Sequence, residues 1–87
     1  MLKIVYGDRF LKSAKRLPTE IRHKLAKLLE FLAENPFHPL LHTKHLTGEL
    51  SGFLSFRITR DHRVIFQFLD EQTIQLIKAA DRKDIYR

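Results

Sequence analysis

The chain contains no cysteine, which removes disulfide frameworks, thiolate zinc sites, iron-sulfur ligation and thiol nucleophiles together. Glycine and proline are scarce, three of each in 87 residues. They form no glycine-rich phosphate loop, nucleophile elbow or dinucleotide fingerprint. No apolar run approaches the roughly 20 residues that span a bilayer, and the opening Leu2-Lys3-Ile4-Val5-Tyr6 is too short for a secretion signal. Membrane insertion and secretion are therefore disfavoured, and a cytoplasmic protein is expected. Acidic residues are the remaining shortage: ten Asp and Glu face sixteen Lys and Arg, a net charge of +6 before the five His are counted. A polyanionic partner is one reading of that imbalance. The other is a scatter of solvated surface cations.

What is present is enough for one core. With 44% hydrophobic residues, seven of them Phe, a chain of this length can bury sufficient apolar surface to fold as a single domain over residues 1–87. Leu2 to Tyr6 alternates with period two and is β-branched at its centre, so it reads as a strand ending at Gly7. Asp8 suits a helix N-cap, and Phe10, Leu11, Ala14 and Leu17 follow at helical spacing until Pro18. Ile21, Leu25, Leu28, Leu29 and Leu32 then form the stripe of a second helix that closes near Asn35-Pro36. Residues Pro36 to Gly52 show no sustained period and read as a long connection, of a length that usually signals function. Three strands follow, Phe53 to Thr59, Arg63 to Leu69 and Thr73 to Ala79, and then a charged segment from Asp81 to Arg87 expected to be a short turn or helical stub. The order βααβββ predicts an α+β domain with two N-terminal helices packed on one face of a small, mainly antiparallel twisted sheet.

Strand parity sorts the side chains. Leu54, Phe56 and Ile58 share one face with Val64, Phe66 and Phe68, and burying these sets on the helices fixes the register. A three-residue loop, Arg60-Asp61-His62, would set Arg57 near Ile65 and Thr59 near Arg63. Ser55, Arg57, Thr59, Arg63 and Gln67 then share the opposite, uncovered face. Two guanidinium groups with hydroxyl and amide neighbours suit phosphate oxygens, because guanidinium donates planar, paired hydrogen bonds. A merely solvated sheet face is the competing reading.

The stretch Lys44-His45-Leu46-Thr47-Gly48-Glu49-Leu50-Ser51-Gly52-Phe53, then Phe56-Arg57-Ile58 and Asp61-His62-Arg63-Val64-Ile65-Phe66, resembles the core signature of the RelE/ParE toxin superfamily, nearest its YoeB-like branch. The ending Asp81-Arg82-Lys83-Asp84-Ile85-Tyr86 is similar to the superfamily's C-terminal Arg-x-x-x-Tyr pattern. The resemblance implies a toxin of a type II toxin-antitoxin system. It implies a cytoplasmic, ribosome-dependent messenger RNA endonuclease that enters the ribosomal A site, inhibits translation and cleaves by metal-independent 2'-hydroxyl attack, with no cofactor. A ParE-like inhibitor of DNA gyrase without nuclease activity, or a degenerate toxin retaining only antitoxin binding, are the alternatives. The expected cognate partner is a small acidic antitoxin.

Metal-independent RNA cleavage needs a base for the 2'-hydroxyl proton, cations for the charge on phosphorus, and an acid for the leaving 5'-oxygen. Arg63 and Arg57 match family strand arginines and are the candidate phosphate and transition-state ligands. Arg82 and Tyr86 match the C-terminal pattern, Arg82 as an RNA contact and Tyr86 as a proton donor or stacking surface. The chain departs from the YoeB-like branch at the acid and base. That branch carries glutamate where Lys44 aligns and ends in His-Tyr, whereas this chain ends Asp84-Ile85-Tyr86-Arg87. Lys44 is a candidate base and RNA contact, and His45 and His62 are candidates because imidazole titrates near neutrality unaided. The spacing of His38, His42 and His45 is helix-like, but Pro39 interrupts any helix and only Glu49 is a nearby carboxylate, so no metal site is expected.

Overall fold

The computed structural model describes residues 1–86. Its elements are β1 (Lys3–Tyr6), α1 (Asp8–Ala14), α2 (Thr19–Glu34), β2 (Lys44–His45), β3 (Leu54–Arg57), β4 (His62–Asp70) and β5 (Thr73–Asp81), with 3-10 turns at Pro39–Leu41 and Gly48–Leu50. The five strands form one sheet in the order β1-β5-β4-β3-β2. Only the β1–β5 pair is parallel. The two helices cover one face, as the α+β pattern predicts. Phe10 of α1, Leu25, Leu28 and Leu32 of α2, and Leu54, Phe56, Val64, Phe66, Ile74 and Leu76 of the sheet make up most of the core. Leu32, Phe56 and Phe66 have no exposed surface at all. Truncating any of them to alanine removes both transfer energy and packing, on the order of 2–5 kcal/mol each.

The local chemistry at the helix ends differs in detail from the sequence expectation. Gly7, not Asp8, is the N-cap of α1, and Asp8 opens the first turn, where the helix dipole favours a carboxylate. Glycine is required there by a neighbour: a Cβ at position 7 would stand 2.7 Å from the Leu76 carbonyl oxygen, which accepts from the Gly7 N–H at 3.1 Å. Helix α2 ends at Asn35, whose N–H reaches the Phe31 carbonyl and whose Oδ1 accepts from the Phe37 N–H. Pro36 then prevents continuation.

The expected long connection from Pro36 to Gly52 is instead punctuated. His38 Nδ1 accepts from the Leu40 N–H at 3.1 Å, its ring packs 4.6 Å from Phe31, and Leu41 is fully buried. The two-residue strand β2 then pairs with β3, Lys44 opposite Ser55 and His45 opposite Leu54. A strand so short carries no readable period, which is why it is invisible in the sequence.

Register between β3 and β4 keeps the expected faces but not the expected partners. Arg57 lies opposite Arg63, and Ser55 opposite Ile65, a shift of two residues that preserves parity. The shift arises because the three-residue loop stands one residue earlier than expected, as Thr59-Arg60-Asp61 between Ile58 and His62. The Thr59 carbonyl accepts from the His62 N–H, and the Ile58 N–H returns to the His62 carbonyl. A bulge in β5 has a larger effect. Ile65 pairs with Lys78 but Phe66 pairs with Leu76, so Ile77 is an extra residue and the phase of β5 slips by one.

Beyond Leu76, β5 has no strand on its β1 side, since β1 pairs only as far as Tyr6. Helix α1 lies along that stretch, and the Ser13 hydroxyl accepts from the Ala79 N–H at 2.9 Å while donating to the Phe10 carbonyl at 3.0 Å. The side chain of a helix thus stands in for a missing strand. Ser13→Ala should leave the Ala79 N–H without that partner and cost about 1 kcal/mol. For a domain of this size that is a fall of roughly 4–8 °C in melting temperature. Thermal denaturation tests it, and an unchanged melting curve would mean that water replaces the hydroxyl without penalty.

Candidate phosphate-binding face

The sheet face opposite the helices is not open. Ser55 has no exposed surface, Arg63 is only 6% exposed and Ile65 is also buried, so the expectation of an uncovered, solvated face fails for its central residues. The cover comes from the C-terminal segment and from the loop before β3. After Asp81 the chain turns back, with the Asp84 and Ile85 N–H groups both donating to the Asp81 carbonyl. Ile85 is driven to 1% exposure, and it lines one cleft with Ile65, Phe53 and Tyr86. The Lys78 ammonium donates to the Asp84 carbonyl at 3.1 Å. The short turn expected from Asp81 onward is thus present through Tyr86, while Arg87 lies outside the described residues.

Among the described residues, three buried side-chain polar atoms stand without a hydrogen-bond partner: Ser55 Oγ, Arg57 Nε and Arg63 Nη1. They are neighbours, since Ser55 and Arg57 are two apart on β3 and Arg57 faces Arg63 across the ladder. Among the described residues no carboxylate pairs with either guanidinium. Like charges directly opposite in a sheet repel, and a buried donor left unpaired costs on the order of 1–3 kcal/mol. Both costs vanish if an anion binds between them. Guanidinium and hydroxyl donors held this way are chemically suited to the oxygens of an anion such as phosphate.

The other expected site residues divide by strand register. Lys44 lies opposite Ser55, on the same face as the two arginines, and Tyr86 reaches that face beside Ile65. His45 does not join them. It is opposite the core residue Leu54 and its ring stacks on Phe37 with 5.8 Å between centroids. His62 begins β4 opposite Asp81, with Nδ1 3.0 Å from Thr59 Oγ1, where it holds the turn and borders a cavity with Ser13 and Leu17 on the helix side. Arg82 continues the ladder past Asp81, its N–H donating to the Asp61 carbonyl at 2.6 Å, and is exposed at the end of the sheet. Among the described residues no three His, Cys, Asp or Glu side chains come together as a metal site, and no helix is long and apolar enough to cross a membrane. Ser55 and Ile85 were not singled out from the sequence as site residues. Parity gives the face of Ser55, but nothing local marks Ile85 as the residue that closes it.

On the other side of the molecule, α1 and α2 enclose an apolar groove lined by Tyr6, Leu11 and Leu29 with Lys15 and Arg22 among its walls. Tyr6 and Leu11 are each nearly half exposed.

The model of the YoeB-like toxins of bacterial type II toxin-antitoxin systems matches residues 9–83. No curated protein matches the chain. Among solved structures, a YoeB/ParE toxin from Agrobacterium tumefaciens is similar at TM-score 0.79 and 22% identity, covering 93% of this chain and 99% of that one. A toxin chain of the heterotetrameric YoeB-YefM toxin-antitoxin complex from Staphylococcus aureus is similar at TM-score 0.72 and 21% identity, over 90% of this chain and 93% of that one. The RelB-RelE antitoxin-toxin complex from Methanococcus jannaschii gives TM-score 0.76 and 20% identity, with 94% of each chain covered. At these identities the structural likeness concerns the fold.

Proposed function

The chain belongs to the YoeB-like toxins of bacterial type II toxin-antitoxin systems, and from that membership we propose that it is a ribosome-dependent messenger RNA endonuclease. The observation that carries the reading is the pair of facing arginines, with Arg57 Nε, Arg63 Nη1 and Ser55 Oγ buried and unpartnered. Two arginines facing each other across one ladder, each with a buried nitrogen unpaired and no carboxylate between them among the described residues, favour an anionic ligand. An enzyme that stabilises charge on a phosphoryl group uses such an arrangement, because donors fixed before the reaction need no reorganisation during it.

In the proposed reaction Arg57 and Arg63 hold the non-bridging oxygens of the scissile phosphate. Lys44, on the same face opposite Ser55, takes the 2'-hydroxyl proton when in its free amine form, as that oxygen attacks phosphorus. The bond from phosphorus to the 5'-oxygen breaks, and Tyr86 supplies the proton to the leaving oxygen. The products are a 2',3'-cyclic phosphate and a 5'-hydroxyl, with no metal or cofactor needed for the balance. Arg82, exposed beyond the end of β5, extends the cationic track along the RNA backbone. His45 and His62 have no part in the chemistry in this reading, because register sets them away from the arginines.

The partner is a small acidic antitoxin. The similar chains from S. aureus and M. jannaschii are in complexes with antitoxins, and the net charge of +6 favours an acidic chain. The groove between α1 and α2, apolar with cationic walls, fits an amphipathic segment with acidic flanks.

The deciding experiment programs purified ribosomes with a defined message and adds the protein. A 3' product end carrying the cyclic phosphate, together with arrest of translation before replication on induced expression, is the expected result. Continued translation with inhibition of gyrase supercoiling by the purified protein would overturn the reading in favour of the gyrase-directed alternative.

A further inference from the structure

Beside the arginine pair the C-terminal cover leaves a cleft of about 310 Å³, and we propose that this cleft is a nucleobase subsite in which Glu49 selects guanine. The inference rests on the endonuclease reading and deepens it from phosphate to base. The volume is at the small end of ligand pockets, which run roughly 300–1,000 Å³. Ile65 and Ile85 line it, Phe53 and Tyr86 bring two aromatic rings, and Glu49, Arg9 and Lys78 are its charged residues. An apolar slot with aromatic rings is what an unstacked base needs to recover its stacking energy.

The position is right for the base of a nucleotide whose phosphate lies on the arginines. Ile65 follows Arg63 by two residues on β4, about 6.8 Å along an extended strand, and lies directly opposite Ser55. That span matches the reach from a phosphate across its ribose to the base.

Glu49 supplies the selectivity. It is exposed, and among the described residues it has no hydrogen-bond or ion-pair partner, even though Arg9 lines the same cleft. An ionised carboxylate only accepts hydrogen bonds. Guanine presents a ring N–H and an exocyclic amino group side by side, two parallel donors that a carboxylate takes together. Adenine and cytosine present an amino group beside a bare ring nitrogen, whose lone pair would face the second carboxylate oxygen. Uracil flanks its single N–H with carbonyls. Guanine alone satisfies both oxygens, and a bidentate pair of this kind discriminates bases by about tenfold or more.

The test uses ribosomes programmed with four messages that differ only in the nucleotide beside the cleaved bond. The wild-type protein should cleave the guanine message at least about tenfold faster than the others. Glu49→Ala should bring the four rates within about threefold of one another while keeping cleavage of the weaker messages. Glu49→Gln should move the preference toward adenine, whose donor and acceptor match an amide. Equal wild-type rates, or a guanine preference that survives Glu49→Ala, would overturn the proposal. If the wild-type protein cleaves no message, the endonuclease reading fails, and the subsite is then judged by binding of guanosine and adenosine monophosphates followed by NMR at Phe53 and Tyr86. Guanosine monophosphate binding that depends on Glu49 would sustain it, and equal or absent binding would end it.

Discussion

Replacing Arg63 with methionine is expected to make the protein more stable and nearly inactive. Arg63 is 6% exposed, faces Arg57 across the ladder and leaves Nη1 without a partner. Methionine fills much of the same space without a charge, and exchanges of buried charge for apolar volume are often neutral or stabilising by about 1–4 kcal/mol. At about 4–8 °C per kcal/mol, a rise of several degrees in melting temperature is the expected reading. Cleavage should fall by roughly two to three orders of magnitude, the usual loss for one preorganised charge-stabilising donor. Lysine should restore it only in part, since a point charge cannot reproduce the paired geometry. Inorganic phosphate should raise the melting temperature of the wild-type protein, because a ligand that binds only the folded state stabilises it, and should leave Arg63→Met unmoved. A methionine variant that melts lower than wild type would contradict the proposal that the arginines form an anion site, and one that cleaves normally would remove Arg63 from the mechanism.

The second large effect belongs to a residue with no polar atom in its side chain. Ile85 is 1% exposed and anchors the turn that carries Tyr86 over the sheet. Aspartate at that position would bury a carboxylate in an apolar setting, which is avoided by releasing the segment to water. Amide exchange over residues 82–86 should then rise toward that of an unfolded chain, and cleavage should drop at least as far as in Tyr86→Ala. The rest of the domain should still melt cooperatively, because Ile85 lies outside the main core cluster. Global unfolding of Ile85→Asp would show instead that the cover is part of the core. Unchanged exchange at 82–86 would show that other contacts hold the turn.

The fold was legible where periodicity is long. The stripe from Ile21 to Leu32 and the alternation in Leu54, Phe56, Val64 and Phe66 each span enough residues for burial to leave a pattern, and both helices and four of the five strands were read from the sequence. Strand β2 was not legible, because two residues have no period and Lys44-His45 pairs only by virtue of β3 already being in place. The slip at Ile77 was not legible either. Read with strict alternation, Lys78 and Ala80 would fall on the helix face with Leu76. The bulge sends them to the arginine face and puts Ala79 in the core. For the site, parity placed Ser55, Arg57 and Arg63 together, and resemblance singled out the two arginines. The turn that buries Ile85 brings it to the same cleft as Ile65, some twenty positions earlier in the chain, which no local feature of Asp81 to Tyr86 announces.

The hydroxyl of Ser13 on the Ala79 N–H also decides how copies of this protein behave at high concentration. A sheet with an unguarded edge can be extended by any chain that offers a strand, which is the route to aggregation and domain swapping. Here one rim is the two-residue β2 and the other is the four-residue β1, both too short to template much pairing. The remaining exposed length of β5 is sealed by a helix. Pairing between copies through backbone ladders is thus suppressed by edge design, leaving a partner to recognise the domain through side chains and grooves instead.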